Sequence, residues 1–374
     1  MFLLLLGTIS FLYTSVAQDF LKDAIVKKLN KSPDMKVEIG DFRLSFPADI
    51  NICGLSMVER GNDTLIAASQ FTAEVKLLPL LSGNVEIDKT CLRGARYRIG
   101  TPDSAMYLVA NIDRFDLSKG LVDLSASNVN LDNAIWDGGS LEMVLKNDTV
   151  STPADTASIP WKINARQIEL RNVAYRLSMM PTIDSLDTHF NDALLSDISV
   201  DLSEQSVSVG MISGQSLDIL YLTPDTTYLA NHPELFYEPP VNEDVVASPV
   251  WTIFVDTIDF THSRALYAMK GVTPVNGLDF NYIEIDSLDL KIASFYNAGA
   301  VTRIPISLLS GRERSGVNLT GSGVVSVDSV AFKLSDFELA MPVTKLGLEI
   351  LMGTAAIEER LLPMALKCDG DIGI

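Results

Sequence analysis

The stretch "NDTLIAASQFTAEVKLLPLLSGNVEID", Asn62 to Asp88, decides the fold class. From Phe71 to Leu77 apolar and polar residues alternate without a break. Phe71, Ala73, Val75 and Leu77 fall on one side of an extended chain, and Thr72, Glu74 and Lys76 on the other. Val85 and Ile87 resume the pattern after a Leu-Ser-Gly turn. Period two is the signature of a strand with one buried face. Nothing in the stretch forms a constellation for acid–base or nucleophilic chemistry, so the question is what its apolar side meets.

From Met35 onward the same period recurs, at Val37-Ile39, Ile50-Ile52, Ile163-Ala165, Ile168-Leu170, Val207-Val209-Met211, Leu217-Ile219-Tyr221, Val325-Val327 and elsewhere. Turn residues such as Gly61-Asn62-Asp63, Asp137-Gly138-Gly139 and Gly321-Ser322-Gly323 separate the runs. The chain is therefore expected to be mostly β and antiparallel. An internal repeat supports this. Trp161, Ile163, Ile168 and Leu170 map onto Trp251, Ile253, Ile258 and Phe260, and Ile198, Val200 and Leu202 onto Leu288, Leu290 and Ile292. A repeated sheet grows along one axis, each unit stacking on its neighbours. Residues 147–160 and 228–249, rich in Pro, Ser, Thr and acids, read as exposed loops between units. Near the end, Ala356, Ile357, Arg360 and Leu361 recur at helical spacing, with Pro363 ending or kinking the helix. The chain then stops on "CDGDIGI", in the middle of a strand pattern.

Over 374 residues, 47% are apolar. They come in short alternating runs, unlike the spans of 18 or more that mark a polytopic membrane protein. With 29 basic against 48 acidic residues, a net charge of −19 and no basic cluster, the composition disfavours nucleic-acid binding. The acidity keeps an apolar β-protein soluble. Cys53, Cys91 and Cys368 form no C-x-x-C pair and lie at no metal spacing. Cys53 and Cys91 are read as buried thiols, with a disulfide between them as the alternative.

The opening "MFLLLLGTISFLYTSVAQDF" carries an apolar run from Phe2 to Ala17. Phe2, Leu3, Leu4, Leu5, Leu6, Ile9, Phe11 and Leu12 are its anchor candidates. As a helix it would span roughly 24 Å, short of a ~30 Å hydrocarbon core. Residues 1–17 are thus a membrane anchor or a signal segment, with Ser15-Val16-Ala17 as a small-residue cleavage site. Either sends the remainder out of the cytoplasm. Residues 18–32 read as an amphipathic helix, with Phe20, Leu21, Ala24, Ile25 and Leu29 on the apolar face, packed on the first strands or lying at a bilayer surface. Three β-repeat regions follow, at 33–150, 151–245 and 246–374, the last truncated.

Catalytic motifs are missing. His189, His232 and His262 sit in no H-E-x-x-H and neighbour no nucleophile motif, and neither G-x-S-x-G nor a P-loop occurs. Asp184, Asp187, Asp197 and Asp201 read as a solvated edge, Asp197 and Asp201 sharing the polar side of their strand. "GRERSG", Gly311 to Gly316, reads as a solvated charged turn. No enzyme, metal or cofactor is expected.

The segment from Val37 to Ile99 resembles the opening β-repeat of the TamB and AsmA-like envelope proteins. The resemblance lies in Ile39-Gly40, Ser45-Phe46-Pro47, Gly54-Leu55, Asp63-Thr64-Leu65, Leu80-Leu81-Ser82-Gly83 and Leu92-Arg93-Gly94-Ala95, preceded by an apolar segment running through Gln18-Asp19-Phe20 into a helix. Arg312 to Leu339 is similar to a later repeat. Full members are several times longer and end in a separate C-terminal domain that has no counterpart here. The resemblance implies an inner-membrane anchor and a periplasmic sheet curled into a trough. It implies a role in envelope biogenesis, with phospholipid passing between inner and outer membranes and an outer-membrane barrel protein as partner through the missing domain.

On this reading Phe71, Val75, Leu77, Val85, Ile87, Ile198, Val200, Leu202, Leu288, Leu290 and Ile292 line a groove for phospholipid acyl chains. The alternatives are a closed core built from the same residues, a scaffold that guides outer-membrane proteins by strand-edge pairing, and a secreted β-sandwich adhesin or glycan-binding module.

Overall fold

A computed structural model describes residues 13–30, 35–45, 49–59, 64–76, 79, 84–100, 106–123, 125–146, 161–180, 184–232, 251–275, 279, 281–298, 301–328, 331–345 and 361–373. The anchor candidates Phe2 to Leu12, and Leu77, lie outside them.

The sequence's period two becomes a single mostly-β architecture. Sixteen strands belong to one sheet: β1 (Met35–Ser45), β2 (Asp49–Glu59), β3 (Thr64–Lys76), β4 (Asn84–Ile99), β5 (Met106–Asp123), β6 (Asn128–Lys146), β7 (Lys162–Met180), β8 (Asp184–Asp201), β9 (Ser206–Gln215), β10 (Asp218–Pro224), β11 (Thr252–Lys270), β12 (Tyr282–Ala298), β13 (Val301–Glu313), β14 (Asn318–Val327), β15 (Ala331–Lys345) and β16 (Leu361–Gly373). They are neighbours in chain order, except that β9 and β10 both pair with β8 and β11. Among the described residues there are two longer helices, α1 (Ser15–Leu29) and α2 (Thr226–Asn231). The chain divides into two compact units: unit 1 is Met1–Val144 with Trp161–Ala174, and unit 2 is Leu145–Pro160 with Tyr175–Ile374.

The sheet is not purely antiparallel. β9 and β10 run parallel to β11, with Val209 beside Val255 and Tyr221 beside Tyr267. Parallel neighbours need a crossover rather than a hairpin. The segment after β10 supplies one, so the start of the expected 228–249 loop is helical: α2 is capped by Asp225, whose carboxylate accepts the Tyr228 N–H. The expected C-terminal helix is also replaced where it can be seen. Leu361 opens β16, which pairs with β15, and Pro363 falls at a register shift between Met341 and Thr344. A bulge is where a strand tolerates a residue without an N–H.

The repeat is deeper than its sequence shows. β7 and β11 begin and end 90 residues apart. Within them Asn172 and His262 have left-handed backbone, φ 51° and 49°, and Gly94 in β4 has the same conformation, φ 53°, 78 residues before Asn172. Lys119 in β5, Asp197 in β8 and Ser287 in β12 repeat the same two spacings, with φ 59°, 53° and 52°. Each left-handed residue advances the apolar pattern by three positions instead of two. Leu92 is thus followed by Ala95, Leu170 by Val173 and Phe260 by Ser263. Beyond these breaks, Tyr97, Tyr175 and Ala265 continue the series.

In unit 1, α1 lies on β1 through Ala17 and Gln18, both buried, while Val16 is 70% exposed and Phe20 73%. The packed face is therefore rotated from the expected one: Leu21 is half-buried, but Phe20, Ala24 and Ile25 face outward. The backbone polar groups of β1 set this choice, because Gln18 reaches the Leu44 carbonyl at 2.7 Å.

Candidate functional site

The sheet register sorts side chains into rows. In unit 1, Ile52 pairs with Phe71, Phe71 with Leu92, and Leu92 with Phe115. The adjacent row on the same face runs Ile50, Ala73, Thr90, Leu117. The opposite face carries Asn51, Thr72, Cys91 and Asp116, then Cys53, Gln70, Arg93 and Arg114. In unit 2, Ile258 pairs with Ile292 and Ile212, and Ile292 with Ile306; Phe260 pairs with Leu290, and Leu290 with Leu309. Each unit thus has a face lined by aliphatic and aromatic side chains.

On these rows Ala73, Leu117 and Ile292 are buried. Ala73, Ala95, Ala134, Ala165, Val173, Ala193 and Val255 are all under 9% exposed. The large residues Phe71, Leu92, Phe115, Leu170, Phe260 and Leu290 are only half-buried. A two-layer sandwich would bury such side chains against a second sheet. Among the described residues every named strand belongs to the one sheet.

Of the expected groove residues, Phe71, Val75, Val85, Ile87, Ile198, Val200, Leu202 and Leu290 are half-buried, whereas Leu288 and Ile292 are buried. The register brings Val75 opposite Ile87, Ile87 opposite Gly120 and Val85 opposite Val122. Ile198 and Val200 pair with Val209 and Val207.

A recess in unit 1 has a volume of about 830 Å³ and draws on β1 to β7. Its wall combines Ile50, Ala73, Leu117, Ala134 and Ile135 with Glu74, Lys89, Asp116, Arg166 and Glu169. Thr90 Oγ1 is buried there without a hydrogen-bond partner among the described residues. None of the ten expected residues that are described lines it. A second recess of about 400 Å³ includes Ile87, Gly120, Leu121 and Leu131. Recesses of these sizes suit a small ligand or part of a longer one.

The polar features do other work. Asp201 is 7% exposed rather than solvated, because its Oδ1 accepts the N–H groups of Ser203 and Glu204 and the Ser203 hydroxyl. Asp197 has left-handed backbone, so the two do not share an alternating face. Asp187 pairs with Arg176 at 2.7 Å. Glu313, expected in a solvated turn, is 1% exposed and closes the turn by accepting the Ser315 N–H and hydroxyl. Cys53 and Cys91 are free thiols, half-buried rather than buried. Among the described residues no group of His, Cys, Asp and Glu has the geometry to hold a metal ion. Burial, and then the neighbouring Asp184, pushes the Tyr221 hydroxyl above its usual range.

Among the described residues no helix is long and apolar enough to cross a membrane. No protein-family model, no curated protein and no solved structure matches the chain.

Proposed function

We propose that this is a non-enzymatic, membrane-anchored protein of the cell envelope whose apolar sheet face carries phospholipid acyl chains between inner and outer membranes. The observation that carries the reading is the half-burial of Phe71, Leu92, Phe115, Phe260 and Leu290 on in-register rows, and of Leu170 at the repeat position that matches Leu92 and Phe260. Such a face retains an unmet driving force. Each acyl CH₂ it takes from water is worth about 0.8 kcal/mol. On this proposal the sheet is curled into a trough in the periplasm, the apolar N-terminal segment holds it to the inner membrane, and a further domain meets an outer-membrane barrel protein.

Photo-crosslinking amino acids at Leu92, Leu170 and Phe260, three copies of one repeat position, test it. Each is expected to capture phospholipid in cells, and equivalent probes at Arg93, Arg171 and Thr261 on the other face are not. Capture that is equal on both faces, or absent from both, ends the proposal.

A further inference from the structure

Among the described residues β1 has a strand neighbour on one side only, β2. On its other side α1 and the residue after it supply side chains where a strand would supply backbone. Asn30 does so most fully. Its Nδ2 donates to the Val37 carbonyl at 2.9 Å, and the Val37 N–H donates to its Oδ1 at 2.6 Å. That two-bond ring is what a residue of a paired antiparallel strand makes. Gln18 Nε2 donates to the Leu44 carbonyl at 2.7 Å, and Lys22 Nζ to the Gly40 carbonyl at 3.4 Å. An uncovered edge of this kind is a template for another strand.

We propose that β1 is a latent pairing edge for a second copy of this chain, and that α1 with Asn30 is its removable cap. The occupant follows from the strand's own sequence. Two β1 strands laid antiparallel with Val37 opposite Leu44 bring together the outward backbone groups that Asn30 and Gln18 now hold. The same register sets Glu38 opposite Arg43 twice, once on each side of the two-fold axis, and Ile39 opposite Phe42. Opposite charges directly across a strand pair favour that pairing, and like charges oppose it. The contact is isologous, so it closes at a dimer. In the capped state Glu38 pairs with Lys36 at 2.6 Å and Arg43 with Asp41 at 3.1 Å. Both pairs are exposed and exchange at little cost. The inference stands apart from the lipid proposal.

The test is sedimentation equilibrium of the full chain carrying Gln18→Ala and Asn30→Ala beside the wild type, in one detergent buffer. The double variant is expected to dimerise at least tenfold more tightly. Adding Glu38→Arg, which sets arginine against Arg43, reverses the gain, and further adding Arg43→Glu restores it. A variant that keeps its β-sheet circular dichroism yet stays as monomeric as the wild type overturns the proposal, as does a dimer indifferent to Glu38→Arg. Loss of the sheet also overturns it, because the cap would then be holding the fold rather than covering an edge.

Discussion

At Gly139 the backbone sits at φ 116°, and a Cβ placed there would lie 2.0 Å from the Asn111 carbonyl oxygen. Gly139→Ala is expected to lose about 1–3 kcal/mol from backbone strain, plus the clash. The urea midpoint read from Trp136, whose indole N–H donates to the Gly138 carbonyl, checks it. His262 is the converse case, a side-chain-bearing residue at φ 49°. His262→Gly relieves a strain of about 1 kcal/mol and leaves the His262 N–H bond to Asp289 intact, so the midpoint of unit 2 is expected to rise or hold. Asp123 gives the pH dependence. The Ser125 hydroxyl, and then the Ala126 N–H, hold its carboxyl below the ordinary carboxylate value. A depressed folded pKa stabilises above the unfolded value, and that contribution fades as pH falls through the folded one. Asp123→Asn keeps the acceptor but does not titrate. Its melting temperature should therefore fall less steeply with pH below about 4 than that of the wild type.

At the scale of elements, the turn after β5 and the turn after β8 are the same device. Asp123 Oδ1 accepts from the Ser125 N–H, the Ser125 hydroxyl and the Ala126 N–H, and Asp201 Oδ1 does the same for Ser203 and Glu204. Giving the first turn the second's residues, Ala126→Glu with Ser127→Gln, is expected to change stability by less than about 0.5 kcal/mol, read by thermal unfolding. Strand existence was legible from alternation because β-pairing imposes a strict period of two. The copy 78 residues upstream of β7 was not, for two reasons. Its break residue is Gly94 where the later copies have Asn172 and His262, and polar Thr90 stands where they have Ile168 and Ile258. The buried roles of Asp201 and Glu313 were equally hidden, since a carboxylate that caps a turn has the same composition as one in water. Helical spacing around Leu361 misled for the opposite reason: a short apolar run fits either period, and pairing with β15 decides it. The apolar rows were legible in part. Phe71, Leu290 and Ile292 lie on them, but Ile292 is buried, as is Leu288 next to the break at Ser287.

At the scale of the molecule, a sheet in which nearly every strand contacts only its neighbours in order distributes its stability along the chain instead of concentrating it in one core. Unfolding of such arrays proceeds by segments once the coupling between them is exceeded. The division into two compact units supplies the natural segments, and the three tryptophans report on them separately. Trp136 and Trp161 belong to unit 1, and Trp251, 41% exposed, to unit 2. Two variants isolate them: Trp251→Phe keeps the reporters of unit 1, and Trp136→Phe with Trp161→Phe keeps that of unit 2. Urea titration of the two is expected to give midpoints that differ, while circular dichroism of either follows a broader transition spanning both. The slopes should also be smaller than a 374-residue chain unfolding in one step would show, because each step exposes only part of the surface. Coincident midpoints with the full slope would make the sheet one cooperative body, and the repeat would then be a feature of its construction without being a unit of its stability.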